Sequence, residues 1–322
     1  MIKRVHNLKK KLQKAKAIGF RQTATLAKKH LFFEKVFPFF EKFGIHVLPV
    51  HYYNPIPDTR ELRRNLNLWY KEGTFSGVDF NIKEQLQLLN KLKNYKIEYD
   101  MLPSNEELDE KGFGEGYNDI DSCILHAMIR FLKPNIIIEI GSGISTYFSV
   151  NALSLNKERD KVDSKIICIE PYPRRPLKKI RGNCEIQIIP KPVQEIEPNF
   201  FNILDKDDIL FIDSSHIVKI GGDVNYLYLE VLPNLKKGVV IHIHDIPFPY
   251  PISNPEDFIF KKHLFLTEPA LVHAFLMYNS VFKIILCSSY LHHKKRDALL
   301  SAFTNYDLLK HWPSSLWLRK IA

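Results

Sequence analysis

The sequence predicts a doubly wound α/β fold, with a seven-stranded, mainly parallel sheet and an N-terminal, mainly helical extension. Short apolar runs, most of them separated by segments long enough for a helix, are typical of strands buried on both faces. A glycine-containing turn follows the first run and acidic residues follow others, as at ligand-binding strand ends. The predicted strands are Ile136–Ile140, Lys165–Ile169, Glu185–Ile189, Ile209–Ile212, Val239–Ile243, Lys283–Cys287 and Ser315–Arg319.

Residues 1–115 form the predicted helical and extended arm, and residues 116–322 form the sheet domain. Apolar residues recur at helical spacing in the arm, and prolines between its helices predict an extended stretch. The glycine-rich loop Gly112–Gly116 marks the predicted boundary. Beyond it, Asp121 is the predicted N-cap of the helix that leads to the first strand.

The net charge of +10 belongs to one segment of the 322-residue chain. Residues 1–33 hold ten basic residues and no acid, which leaves 36 basic and 36 acidic residues in the rest. A Lys-rich amphipathic helix at residues 2–30 fits an anionic membrane surface or a partner, and a solvated terminal helix is the alternative. Because the basic residues do not alternate with stacking aromatics on one surface, we expect no nucleic-acid partner.

The cysteines and apolar runs indicate the compartment. The four cysteines are far apart and form no Cys-x-x-Cys pair, which argues against a zinc ribbon, a redox motif and a disulfide framework. No apolar run approaches the ~18–20 residues that span a bilayer, and the N-terminus lacks a signal-peptide core. We therefore expect a cytoplasmic protein.

The turn after the first predicted strand has the features of a cofactor loop. Gly141 and Gly143 let the backbone approach a ligand, and the next helix directs free N–H groups at it. Thr146 stands where a dinucleotide fingerprint has its third glycine, so a tight structural turn is the alternative. Glu170 ends the second strand, where a carboxylate can bridge ribose hydroxyls. Glu139, an acid inside an apolar strand, is expected to meet a ligand or to be a structural acceptor.

With these motifs, residues 116–322 resemble class I S-adenosylmethionine-dependent methyltransferases. The resemblance implies a Rossmann-like seven-stranded methyltransferase sheet with an antiparallel last strand, and S-adenosylmethionine as cofactor. It assigns the methionine moiety to the glycine loop and the ribose to Glu170, with Gln194 and Asp205–Asp208 as candidates for the adenine side. The predicted cofactor contacts are Tyr117, Glu139, Gly141, Ser142, Gly143, Ser145, Thr146, Glu170, Asp213 and Ser214.

Carboxylates and imidazoles follow the fourth and fifth predicted strands. Because adjacent parallel strands end at one edge of a sheet, we expect these side chains to converge. Asp213, His244 and Asp245 offer ligands for Mg²⁺ or Mn²⁺, and His216 is placed to accept a proton from a substrate hydroxyl. The alternative is that His242 and His244 are core or supporting histidines.

This second pattern resembles metal-dependent sugar O-methyltransferases, and residues 43–322 resemble a bacterial methyltransferase subgroup of ill-defined substrate. The resemblance implies Asp213 and Asp245 as metal ligands and His216 as general base, although His244 stands where the family has an acid. We expect O-methylation of a small-molecule or glycan hydroxyl. The alternatives are an NAD-type oxidoreductase, disfavoured by Thr146 and the Asp/His residues, and a non-enzymatic basic nucleic-acid- or membrane-binding protein.

Overall fold

The computed structural model describes residues 33–174, 177, 180 and 182–322. The predicted basic helix at residues 2–30 therefore lies outside the described residues. The chain divides into two compact units, Met1–Leu66 and Asn67–Ala322. The predicted boundary after residue 115 stays a prediction; the unit that contains the sheet begins at Asn67.

In the first unit, residues 33–41 are helical and an extended stretch follows them. Helix α1 spans Thr59–Arg64 and is capped by Asp58, whose side chain accepts a hydrogen bond from the Arg60 N–H. Helix α2, Leu66–Trp69, lies at the division between the units.

The second unit contains the predicted seven-stranded sheet, in the order β3-β2-β1-β4-β5-β7-β6. Strands β1 to β5 run parallel, and β7 is antiparallel to β5 and β6, which confirms the predicted α/β fold and its antiparallel last strand. The bounds of β5, β6 and β7 differ from the predicted ones by a single residue. The strands are β1 Ile136–Ile140, β2 Lys165–Ile169, β3 Glu185–Ile189, β4 Ile209–Ile212, β5 Val240–Ile243, β6 Phe282–Cys287 and β7 Leu316–Lys320.

Helices and short helical turns connect the strands. No helix in the described parts of the chain combines the length and apolar character that a bilayer crossing requires. The α-helices are α3 Ile82–Leu92, α4 Lys96–Asp100, α5 Asn105–Glu110, α6 Asp119–Leu132, α7 Ile144–Leu155, α8 Asp223–Tyr226, α9 Glu268–Leu276, α10 Ser288–Lys294 and α11 Arg296–Ala302. The 3₁₀ turns are Lys93–Tyr95, Val193–Glu195, Pro198–Ile203 and Leu232–Asn234, and the π-helical turns are Asn156–Asp160, Leu227–Val231 and Glu256–Lys261.

Both faces of the sheet are buried, because alternate residues of each strand enter two different apolar cores. Ile137 and Phe211 pack in the core that contains residues of α6 and α7. Their neighbours Ile138 and Leu210 pack in the other core, with residues of α8 and α9. The sheet is therefore covered on both faces, and its strand ends are left to carry polar side chains.

The N-cap of α6 is Asn118, so the prediction of Asp121 as the cap is wrong. The Asn118 side-chain oxygen accepts hydrogen bonds from the N–H groups of Ile120 and Asp121. Asp121 is instead fully buried, and its carboxylate accepts hydrogen bonds from the N–H groups of Ser314 and Ser315 just before β7. It thereby ties α6 to the segment that leads into β7.

Candidate functional site

The turn after β1 is shaped by a glycine that no other residue can replace without strain. Gly141 has φ +98°, and a Cβ there would lie 2.5 Å from the backbone oxygen of Asp213. Its N–H donates to the Ile169 carbonyl, while the Asp213 N–H donates to the Ile140 carbonyl. The carboxyl ends of β1, β2 and β4 are thus drawn together at this turn.

Thr146, at the position of the missing third glycine, is the third residue of α7, and its side chain caps the N–H of Gly143, the N-cap residue. Its hydroxyl oxygen accepts the Gly143 N–H at 3.0 Å and its O–H donates to Glu139 at 2.8 Å. Ser145 donates to the same carboxylate at 2.5 Å. Burial raises the pKa of Glu139 to about 7, even though these hydroxyl hydrogen bonds oppose the rise. Glu139 is therefore a structural acceptor in this structure, and the cofactor contacts predicted for these three side chains stay predictions.

A cavity of about 440 Å³ opens beside the turn, and we call it the cofactor cleft. Glu170 lies in it, with one carboxylate oxygen 2.7 Å from the Tyr172 N–H and the other 3.3 Å from the Ser142 hydroxyl. The structure therefore brings Glu170 and the glycine turn together as predicted. The predicted residues that line the cleft are Gly141, Glu170, Gln194, Asp213 and Ser214.

Asp205–Asp208 lies at the opposite edge of the sheet, so its candidacy for the adenine side is wrong. Asp208 precedes β4, and its carboxylate accepts hydrogen bonds from the N–H groups of Asn135 and Ile136, where β1 begins. These are amino ends of strands, whereas the cofactor cleft lies at their carboxyl ends.

Beside the cleft, four side chains converge: Asp213, His216, His244 and Asp245, which we call the Asp–His cluster. His216 Nε2 lies 3.2 Å from Asp213 Oδ1 and 3.6 Å from Asp245 Oδ2. His244 Nδ1 lies 3.5 Å from Asp213 Oδ1 and 3.6 Å from Asp245 Oδ1. His216 and Asp245 have positive φ angles of 57° and 55°, a conformation that persists only where its surroundings impose it.

Further polar groups hold this cluster from behind. His216 Nδ1 lies 2.7 Å from Glu268 Oε2, and the Tyr228 hydroxyl donates to the other oxygen of Glu268 at 2.8 Å. Asp121 Oδ2 is 3.6 Å from His244 Nε2, and the Ser314 hydroxyl donates to Asp245 at 3.2 Å. The sequence analysis did not identify these supporting contacts.

The side chains of the cluster strongly shift one another's pKa values. Burial acts to raise the pKa of Asp213, but the neighbouring His244 and His216 outweigh it and hold that pKa far below its usual range. Burial acts to lower the pKa of His216, but hydrogen bonds with Asp213 and Glu268 raise it to about 10. The carboxylates likewise raise the pKa of the buried His244. The predicted role of His216 as general base stays a prediction.

Two other residues from the sequence analysis are buried beside the cluster. The Tyr117 ring stacks on His244 with 4.4 Å between ring centroids, so its predicted contact with the cofactor stays a prediction. His242 is sandwiched between Phe211 and Trp317, at 4.2 and 4.0 Å between ring centroids. His242 is thus a core histidine, one of the two alternatives that the sequence left open.

Four aromatic side chains, which we call the aromatic rim, lie in a run of ring contacts. Tyr70 lies 5.3 Å from Tyr250, and Tyr250 lies 4.8 Å from His293, between ring centroids. His293 lies 6.1 Å from Trp312, whose side chain is 45% exposed. Trp312 is two residues before Ser314, the residue that holds Asp245.

Comparison with known proteins finds similar sequences. A family model described as a methyltransferase domain matches residues 138–246, from β1 to the residue after Asp245. A relative from Archaeoglobus fulgidus, described as an uncharacterized protein, is 33% identical over 171 residues, which are 50% of this chain and 75% of the relative.

Solved structures are similar at low identity. An SAH-bound methyltransferase from Podospora anserina has 14% identity and a TM-score of 0.41, covering 84% of this chain and 99% of its own. An O-methyltransferase from Bacillus cereus in complex with SAH has 11% identity and a TM-score of 0.42, covering 69% and 93%. An O-methyltransferase from Streptomyces achromogenes in complex with SAM has 13% identity and a TM-score of 0.39, covering 82% and 97%.

Proposed function

We propose that this chain, which belongs to the class I S-adenosylmethionine-dependent methyltransferases, transfers the sulfonium methyl group to a hydroxyl oxygen held at the Asp–His cluster. One observation carries the proposal: Asp213 lines the cofactor cleft and also supplies an oxygen to the cluster. A methyl donor bound in the cleft and a hydroxyl acceptor bound at the cluster would therefore both lie beside Asp213.

The cofactor contacts follow from the shape of the cleft. We assign the methionine moiety to the glycine turn, because Gly141 lines the cleft and the start of α7 follows the turn directly. The carboxylate of Glu170 is assigned to the ribose hydroxyls, and Gln194 to the adenine side. Ser142 and Ser214 complete the proposed contacts.

Methyl transfer asks little of the protein beyond alignment. The hydroxyl oxygen attacks the methyl carbon, the carbon–sulfur bond breaks, and its electron pair stays on sulfur to give S-adenosylhomocysteine. The hydroxyl proton passes to the Asp–His cluster, which contains His216, the proposed general base. A divalent ion at the predicted ligands Asp213, His244 and Asp245 is part of the proposal, and it would lower the pKa of a bound hydroxyl.

We propose a sugar or other glycan intermediate as the acceptor. The aromatic rim supports this, because its rings are partly exposed and sugars stack on such rings. Its Trp312 is two residues before Ser314, whose hydroxyl donates to Asp245. Trp312→Ala should raise KM for a sugar acceptor and leave S-adenosylhomocysteine affinity unchanged. If catechols were methylated and sugars were not, the acceptor assignment would fail while the methyltransferase assignment stood.

Contact of residues 2–30 with an anionic membrane surface also belongs to the proposal. It is supported by the ten basic residues and the absence of acids in residues 1–33. The catalytic proposal does not depend on it.

Calorimetry with two ligands tests the main proposal. The full chain should bind S-adenosylhomocysteine with one site per chain, and NAD⁺ should give no heat of binding. Saturable binding of NAD⁺ without binding of S-adenosylhomocysteine would favour the oxidoreductase alternative and end the proposal.

A further inference from the structure

We propose that the Asp–His cluster is a transition-metal centre in which His216 is a ligand, so that Asp213, His216, His244 and Asp245 together bind one divalent ion. This deepens the proposed function, on which it rests for the role of the site. It changes the predicted site in two ways: His216 becomes a ligand instead of the general base, and of the predicted ions Mg²⁺ and Mn²⁺ only the transition ion is favoured.

The spacing of the four groups supports a single shared ion. Ligand atoms bound to one metal at about 2.1 Å lie roughly 3.0–3.4 Å apart. The imidazole–carboxylate distances within the cluster are 3.2, 3.5, 3.6 and 3.6 Å. One ligand atom each of Asp213, His216 and His244 lies within 4.8 Å of the other two, which is a spacing that can hold a metal ion. Asp245 lies outside this group of three and reaches the two histidines through its two carboxylate oxygens.

His244 provides a second, independent observation. Its side chain is 98% buried (2% exposed), and neither ring nitrogen has a hydrogen-bond partner among the residues that the structure describes. Its Nδ1 nevertheless points between the carboxylates of Asp213 and Asp245. A buried imidazole left without a hydrogen bond is costly, and a metal ion between it and the carboxylates would remove that cost.

The groups behind the cluster match those that orient metal ligands. A ligating histidine commonly donates its other ring N–H to a carboxylate. His216 has this arrangement, because its Nδ1 lies 2.7 Å from Glu268, a buried acid held in turn by Tyr228. Asp121 stands at 3.6 Å on the corresponding side of His244.

The donor set indicates the kind of ion. Magnesium prefers oxygen ligands and keeps several waters, whereas imidazole suits Zn²⁺, Fe²⁺, Co²⁺ and related ions. Two imidazoles with two carboxylates therefore favour a first-row transition ion over Mg²⁺. The ion would lie beside the cofactor cleft, which Asp213 lines, and an acceptor hydroxyl is proposed there.

Metal titration of the chelator-stripped full chain tests the inference. Co²⁺ should bind one ion per chain and produce visible d–d absorption bands, and Mn²⁺ should lose its free-ion electron paramagnetic resonance signal on binding. Mg²⁺ should compete for the site only at concentrations at least 100-fold higher. Absence of saturable Co²⁺ and Mn²⁺ binding, or equal competition by Mg²⁺, would overturn the inference.

Variants locate the ion. His244→Ala and His216→Ala should abolish the Co²⁺ bands, and Glu268→Gln should weaken Co²⁺ binding 10- to 100-fold. His126→Ala, which changes another buried histidine bound to Glu98, is the control and should keep the bands. If an alanine variant fails to fold, Glu268→Gln and Asp245→Asn decide, and unchanged Co²⁺ affinity in both would refute the site.

Calorimetry with S-adenosylhomocysteine keeps the two proposals apart. The stripped chain should bind this ligand as tightly as the metal-loaded chain does. If S-adenosylhomocysteine binds and Co²⁺ does not, the metal centre fails alone. If Co²⁺ binds and S-adenosylhomocysteine does not, the methyltransferase proposal fails.

Discussion

At the scale of single residues, the turn after β1 depends on one absent side chain and one hydroxyl. Gly141 lets the end of β4 approach the turn, and Thr146 caps the helix while it bonds to Glu139. The same turn therefore lacks a third glycine without losing its shape. Conformation and hydrogen bonding, not a count of glycines, define this loop.

Gly141→Ala tests the close approach. Any alanine at such a positive φ costs about 1–2 kcal/mol, and the contact with the Asp213 carbonyl should add roughly 1–3 kcal/mol to the loss in unfolding free energy. We also expect at least 10-fold weaker binding of S-adenosylhomocysteine. Urea unfolding and calorimetry measure the two effects.

Gly116→Ala is the matched control. Gly116 has φ +104°, close to the +98° of Gly141, but a Cβ there meets nothing within 4 Å in the described part of the chain. It should show only the conformational cost. Equal losses of stability in the two variants would contradict the steric argument.

Glu170→Gln tests the ribose assignment. The substitution keeps the size of the side chain but removes the charge, and a charged hydrogen bond is worth about 1.5–3 kcal/mol. We expect S-adenosylhomocysteine affinity to fall about 10- to 100-fold in calorimetry. Glu185→Gln, an exposed change at the amino end of β3, should leave the affinity unchanged. An unaltered affinity in Glu170→Gln would remove this residue from the cofactor site.

At the scale of elements, Glu98 connects three segments around the sheet. It lies on α4, accepts a hydrogen bond from Arg130 of α6 at 2.7 Å, and accepts one from Arg159 at 2.6 Å. Burial acts to raise the pKa of Glu98, but hydrogen bonds from His126 and Arg130 lower it to about 2. Its ionised form therefore stabilises the packing of α4 on α6.

This gives a pH dependence with a defined sign. A carboxyl group with a depressed pKa stabilises the fold above its unfolded pKa of about 4.5, and that stabilisation is lost as pH falls towards 2. Glu98→Gln should lower the free energy of unfolding at pH 7 by roughly 2–3 kcal/mol, and the difference from wild type should shrink between pH 5 and 2.5. Urea unfolding across this range measures it.

Glu106→Gln, an exposed change on α5, serves as the control and should alter stability by less than about 0.5 kcal/mol. A pH-independent difference between wild type and Glu98→Gln would contradict the linkage.

Elements also show how far sequence reasoning reached. The strands were predicted to within one residue because each is a short, mainly apolar run with a clear end. Asp121 was misassigned because Asn118 and Asp121 both suit a cap, and only the later segment before β7 decides between them. Glu268 lies 52 positions from its partner His216, and such a contact leaves no local pattern. The convergence of Asp213, His244 and Asp245 was predictable because parallel strands end at one edge.

At the scale of the whole molecule, charge and chemistry are separate along the chain. The cofactor cleft, the Asp–His cluster and the aromatic rim all lie in the unit that begins at Asn67. The basic surplus lies in residues 1–33. Changes in the basic segment should therefore alter where the protein works and leave cofactor binding intact.

Deletion of residues 2–30 tests this separation. The full chain should bind phosphatidylserine-containing vesicles in sedimentation assays, and binding should weaken with salt because the Debye length is about 10 Å at 0.1 M. The deleted chain should lose this binding and keep its S-adenosylhomocysteine affinity. A full-length variant in which Lys9, Lys10 and Lys11 are changed to Gln should lose about 3 kcal/mol of vesicle-binding free energy. Each basic residue near such a surface contributes about 1 kcal/mol. Equal vesicle binding by the full and deleted chains would leave the basic segment with a partner other than the membrane, or with none.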